Sequence, residues 1–134
     1  MFRFAVLFTI SDGEVVSNLK AGLAAWSGLT VQPKLPTTMT KRVITVRNDG
    51  GPQEFSRSLR RYGINVWADD SVDAENLALK AMQVLQGLPD GSPFLSVGSF
   101  SGPFEVNDDP AYTLGSKSLT HFYFTFQGTV KGSL

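Results

Sequence analysis

The chain has 134 residues and no net charge, with twelve Lys and Arg against twelve Asp and Glu. That length suits one domain, ten Phe, two Trp and three Tyr exclude a disordered chain, and the absence of Cys excludes a disulfide scaffold or a thiolate metal site. Only 18% of residues are charged, below the roughly 25% of a free-standing globular surface, and overall neutrality gives no argument for a nucleic-acid binder.

Residues 2–10 alternate, with Phe2, Phe4, Val6, Phe8 and Ile10 on one parity, but both parities are largely apolar. The run reads as a buried strand or an arm that docks elsewhere. It is short for a signal-peptide core, no small-x-small cleavage site follows it, and no stretch approaches the roughly 20 apolar residues of a membrane span. Ser11-x-x-Glu14 has the form of a capping box. Behind it Val16, Leu19, Leu23 and Trp26 form one helical stripe, predicting a helix from Ser11 to about Ser27 with Gly28 as its stop.

Residues 29–32 predict a short strand closed by Pro33 and Pro36. The β-branched run 41–47 predicts a longer one. Asn48 to Pro52, NDGGP, is a turn signal, and residues 53–58 are polar. Residues 59–68 alternate, with Tyr62, Ile64 and Val66 on one face and Asn65 and Trp67 on the other. The two strands read as an antiparallel pair around a long loop. Asp69 to Asp73 supply caps for a second helix, whose stripe is Leu77, Ala78, Ala81, Met82, Leu85 and Leu88. Short extended pieces broken by Gly98, Gly102 and Pro103 fill 94–106, and a polar turn covers Asn107 to Pro110. The last strand, 119–130, puts Phe122, Phe124, Phe126 and Val130 on one parity and His121 and Tyr123 on the other. An arm followed by α-β-β-β-α-β-β predicts a single α+β domain over 1–134. Its architecture is a two-layer sandwich, a mainly antiparallel sheet of four to five strands packed by two helices.

Little in this pattern speaks for catalysis. His121 has no motif that would give it a nucleophile or carboxylate partner. Asp69, Asp70, Asp73 and Glu75 lack the spaced loop and central Gly of a Ca²⁺ site and read as helix-capping acids. NDGGP has neither the GxGxxG nor the GK[ST] context of a phosphate loop. No enzyme, cofactor or metal is expected.

Charge is segregated along the chain. Between residues 34 and 61 lie Lys34, Lys41, Arg42, Arg47, Arg57, Arg60 and Arg61 against Asp49 and Glu54, a balance of +5. Between 69 and 109 lie Asp69, Asp70, Asp73, Glu75, Asp90, Glu105, Asp108 and Asp109 against Lys80, a balance of −7. The plain reading is a set of solvated loops. The sharper reading is two complementary faces able to join copies head to tail, which gives a ring if the rotation closes. A nucleic-acid reading would have Tyr62, Trp67 and Tyr123 stack bases and Arg57, Arg60 and Arg61 hold phosphates, but no aromatic-sheet RNA motif is present and the acidic stretch would repel a phosphate backbone.

Four segments carry a family resemblance: LTVQPKLP at 29–36, VITVRNDGGP at 43–52, RRYGINVWADDSVDAENLALKAMQVLQGLPDG at 60–91 and YTLGSKSLTHFYFTFQGTVKG at 112–132. Their order resembles the tail terminator (tail completion) proteins of long-tailed, siphovirus-type phages, especially those of actinobacterial phages. In these a V-x-V-R-x-D-G-G turn precedes a strand and an acidic cap opens an Ala/Leu helix. The resemblance spans roughly 12–132, and residues 1–10 depart from it. It implies a virion structural protein of the tail or neck, assembled in the host cytoplasm. Such proteins form a homo-oligomeric ring, usually a hexamer, that caps the tail tube, ends its polymerisation and offers the head-docking surface. The implied partners are other copies of the chain, the major tail tube protein and a head-tail connector or head-closure protein. DNA is met only in passage through the lumen, and no membrane is involved.

On this reading the expected oligomer interface uses Arg42, Arg57, Arg60, Arg61, Trp67, Asp69, Asp70, Asp73, Asp108 and Asp109. The expected lumen- or tube-facing loop carries Asn48, Asp49, Gly50, Gly51, Pro52 and Glu54. The alternatives are another neck or head-closure adaptor ring and, from a different class, a small nucleic-acid-binding α+β domain.

Overall fold

The computed structural model describes residues 2–51, 57–88 and 94–131, with the side chains of 2–11, 57–58, 95 and 131 outside that description. Helix α1 spans Phe2–Gly22, followed by β1 (Leu29–Gln32), β2 (Arg42–Gly50), β3 (Arg57–Ala68) and α2 (Ser71–Gln86). Then come β4 (Phe94–Val106), a small hairpin of β5 (Thr113–Leu114) and β6 (Lys117–Ser118), and β7 (Thr120–Lys131). The main sheet has the order β1-β2-β3-β7-β4, and only the β1–β2 pair is parallel. Two helices on a mostly antiparallel five-stranded sheet make the expected α+β sandwich.

Period-2 patterning set the sheet's faces. Tyr62, Ile64 and Val66 of β3 align with Phe126, Phe124 and Phe122 of β7, and all six are buried on the helix-covered side. Ile44, Val46 and Val31 extend that face, and Val15, Leu19 and Leu23 of α1 with Leu77, Ala81 and Leu85 of α2 close over it. Met82 and Trp26 pack against this core while only partly buried. Tyr62 stacks on Phe126 at 5.1 Å between ring centroids, and Phe100 stacks on Phe126 from the other side at 5.2 Å. Gly22 lets the end of α1 meet α2, since a Cβ there would lie 2.6 Å from a Val84 methyl carbon.

Five expectations are corrected. Residues 2–10 are neither strand nor arm: they are the first turns of α1, which runs unbroken through Ser11. An apolar run on both parities carries no period-2 signal, and it holds no Pro to stop a helix. The Ser11–Glu14 box does not open the helix. Glu14 instead accepts from Asn18 Nδ2 at 3.0 Å through its side chain. The helix ends at Gly22 rather than Ser27, and Gly28, at φ 67°, turns the chain into β1. The NDGGP turn begins late: β2 continues through Asn48, Asp49 and Gly50 with a register shift between Asn48 and Gly50. Asn48 Oδ1 accepts from the Gly50 N–H at 2.8 Å across that irregularity. Residues 94–106 form one strand instead of several pieces, because register shifts absorb Gly98, Gly102 and Pro103 within it.

Candidate assembly surfaces

Arg42 opens β2 directly beside the N-terminus of α2. Its Nε and Nη2 donate to the two carboxylate oxygens of Asp73 at 2.9 and 3.0 Å, and its Nη1 donates to the Ser27 carbonyl at 2.9 Å. The guanidinium also lies 5.0 Å from the centroid of the Trp26 ring. One cation thereby joins the turn after α1, the start of β2 and the start of α2. The hydrogen bond to Arg42 holds Asp73 below the usual carboxylate range, and the same bond raises Arg42. Asp70 is the N-cap, accepting from the Asp73 N–H at 2.7 Å.

The open face of the sheet carries a second cluster. Trp67 and His121 stand opposite each other on β3 and β7 and stack with ring centroids 4.1 Å apart. Asp108 binds both: Trp67 Nε1 donates to it at 3.1 Å, and its carboxylate faces His121 Nδ1 at 3.1 Å. His121 Nε2 lies 2.7 Å from Asn65 Oδ1. Tyr112 meets Trp67 edge-on, and Leu119 and Met39 cover the rest, leaving Trp67 4% exposed. With both ring nitrogens engaged, His121 fastens the segment 107–119 to the sheet.

A third cluster ties α1 to the sheet. Asp12 Oδ1 accepts from Tyr62 Oη at 2.9 Å and from Asn48 Nδ2 at 2.8 Å. On the open face Arg47 pairs with Asp49 and donates to Tyr123 Oη at 3.3 Å.

The residues expected at an interface are therefore placed unevenly. Arg42 and Asp73 meet within one chain, Asp108 is held by Trp67 and His121, and Trp67 and Arg60 are buried. Asp69 stands 3.9 Å from Lys117 across a looser ion pair. Arg61, Asp70 and Asp109 are exposed. The Arg57 side chain, Pro52 and Glu54 lie outside the described residues, while Asn48 and Gly50 belong to β2 and Asp49 is exposed at its end. Much of the segregated charge is thus spent inside the chain. Among the charges that stay exposed are Lys20, Lys34 and Lys41 around β1 and Glu105 and Asp109 around the end of β4. Sequence reasoning missed Lys20 and the Trp67–His121–Asp108 contact. Strand parity puts Trp67 and His121 on one face, but nothing in the spacing brings Asp108 to them.

Among the described residues no three His, Asp or Glu side chains gather as a metal site would require, and no helix is long and apolar enough to cross a membrane. The sequence matches no protein-family model and no curated protein. The fold does match a chain in the solved virion of a native gene transfer agent (GTA) particle. The TM-score is 0.54 and the identity 13%, over 94% of this chain and 98% of that one. This chain shares its fold, along nearly its whole length, with a component of a gene transfer agent virion.

Proposed function

We propose that the chain is a tail terminator: a structural protein whose copies form a ring, a hexamer by family resemblance, on the finished end of a tail tube. The ring stops tube growth and presents the surface to which the filled head docks, with DNA passing through its lumen. The observation that carries this reading is the whole-length fold match to a gene transfer agent virion chain of nearly equal size. The four segments resembling tail terminators add the specific role. The Trp67–His121–Asp108 and Arg42–Asp73 clusters read as fastenings of a rigid subunit, which a ring needs in order to present one fixed surface.

Electron microscopy of particles made without the chain tests the role. Overlong tails unattached to heads are the expected result. Tails of normal length that fail to join heads would assign the chain to a head-closure adaptor instead. Normal, infectious particles would remove it from the neck altogether.

A further inference from the structure

The sheet has two outer edges, β1 and β4, and among the described residues no strand pairs with the outer side of either. Exposed edges invite pairing unless they are bulged, charged or covered. Most of β4 is blunted by register shifts between Phe94 and Phe104, by Pro103, and by Gly102 at φ 116°. The regular remainder is Phe104, Glu105 and Val106. β1 is itself only four residues long.

These short stretches lie at the same height on the sheet. Following the pairings across, Phe104 aligns with Tyr123, Asn65, Thr45 and Gln32. Glu105 aligns with Phe122, Val66, Ile44 and Val31, and Val106 with His121, Trp67, Val43 and Thr30. Polarity also agrees. β1 and β2 run together, and each later step to β3, β7 and β4 reverses direction, so β4 runs opposite to β1. Copies related by rotation about an axis along the strands would bring β4 of one against β1 of the next as an antiparallel pair. Sheet twist sets the tilt between the two strands, while topology sets row and polarity.

The edges are complementary in charge. Beside β1 runs a groove of about 400 Å³, lined by Leu23, Ala24, Trp26 and Val31 with Lys20 at its side. Lys34 and Lys41 flank the two ends of β1 and are exposed. On β4, Glu105 shares the helix-side parity of Phe122, and Asp109 follows three residues beyond the strand, both exposed. Phe104 leaves 55% of its surface in solvent on the open face. Ion pairs at a rim set register more than affinity, so backbone pairing would supply the affinity.

We infer that the ring contact joins the β4 edge at Phe104–Val106 of one copy to the β1 edge at Leu29–Gln32 of a second copy, with Glu105 directed to Lys20. This rests on the ring reading and names its interface. It replaces the Arg42 and Trp67 contacts, which the fold uses internally.

Cysteine cross-linking of the full chain, which has no cysteine of its own, tests the contact. Residues directly opposite in an antiparallel pair have Cα atoms about 4.5–5.5 Å apart, within reach of a disulfide. A chain carrying both Gln32→Cys and Phe104→Cys should give an oxidised ladder that ends at the ring number. The two single variants mixed should stop at a dimer. Thr30→Cys with Val106→Cys is the second pair. A defined oligomer by mass with no cross-link at either pair overturns the edge contact and leaves the ring reading standing. Cross-linking of Phe104→Cys alone also overturns it, because it would show β4 meeting β4. Monomers at every concentration, with or without tail tubes, overturn both. In a parallel test, Lys20→Glu should raise the assembly midpoint roughly three- to tenfold, and added Glu105→Lys should restore it. No change on Lys20→Glu contradicts the assigned pairing.

Discussion

If Arg42 and Asp73 serve the subunit rather than its neighbour, their coupling must appear in the stability of a single chain. The measurement is a double-mutant cycle of Arg42→Ala, Asp73→Ala and the double variant, followed by urea unfolding at concentrations where the chain is monomeric. The pair is bidentate at 2.9 and 3.0 Å, and the side chains are 14% and 20% exposed. That lies between exposed pairs worth about 0–1 kcal/mol and buried pairs whose breaking costs about 3–5 kcal/mol. A coupling of about 1–2 kcal/mol is expected. Arg42→Ala should cost about 2–3 kcal/mol in all, because the bond to the Ser27 carbonyl and the contact with Trp26 go with it. The pH dependence has a definite sign. Asp73 is held below its ordinary value by Arg42, so the coupling is fully present above the unfolded carboxylate value of about 3.9 and fades as pH falls through the lower folded value. A coupling below about 0.3 kcal/mol at pH 7, smaller than most measured helix ion pairs, would refute the intrasubunit clamp and return Arg42 to the candidates for a contact between copies.

Leu85→Ala should cost about 2–5 kcal/mol by the same unfolding assay, since Leu85 is fully buried between α2 and the sheet. Tyr62→Phe removes a hydroxyl donor to Asp12 and should cost about 1–3 kcal/mol, with faster hydrogen exchange in α1 than in α2. Asp108→Ala should free Trp67 Nε1 and His121 Nδ1, shifting Trp67 fluorescence to the red and speeding proteolysis within 107–119, while the helix-side core stays protected. An unchanged Trp67 spectrum would show that Asp108 does not fasten the segment.

The elements with strong periods were legible in the sequence. Tyr62, Ile64 and Val66 against the alternating phenylalanines of β7 fixed the core face, and Leu77, Ala81 and Leu85 fixed the face of α2. Where two structures share a pattern, the sequence was silent. Residues 2–10 are apolar on both parities, so strand and helix fit equally, and the capping signal of Ser11 decided wrongly. The glycines of β4 read as breaks because a bulged strand and a chain of short pieces share one composition. The two-residue strands β5 and β6 are too short to show a period at all. At the candidate interface, the charged residues were visible but their partners were not. Arg42 and Asp73 lie 31 positions apart, and the antiparallel pairing of Arg42 with Ala68 brings the start of α2 beside the start of β2. Trp67 was placed on the face opposite Tyr62, Ile64 and Val66, yet its cover comes from Tyr112 and Leu119, in a segment whose return over the sheet follows from no local signal, and from Met39 in the loop before β2.

The central claim is that copies of this chain close into a ring. Sedimentation of the full chain over a wide concentration range, alone and with purified tail tubes, measures it most directly. The account predicts a single closed oligomer, formed with concentration or on tube ends, with one ring per end and no growth beyond it. A chain that stays monomeric at every concentration and leaves tube ends bare, or one that grows into open filaments, would contradict it.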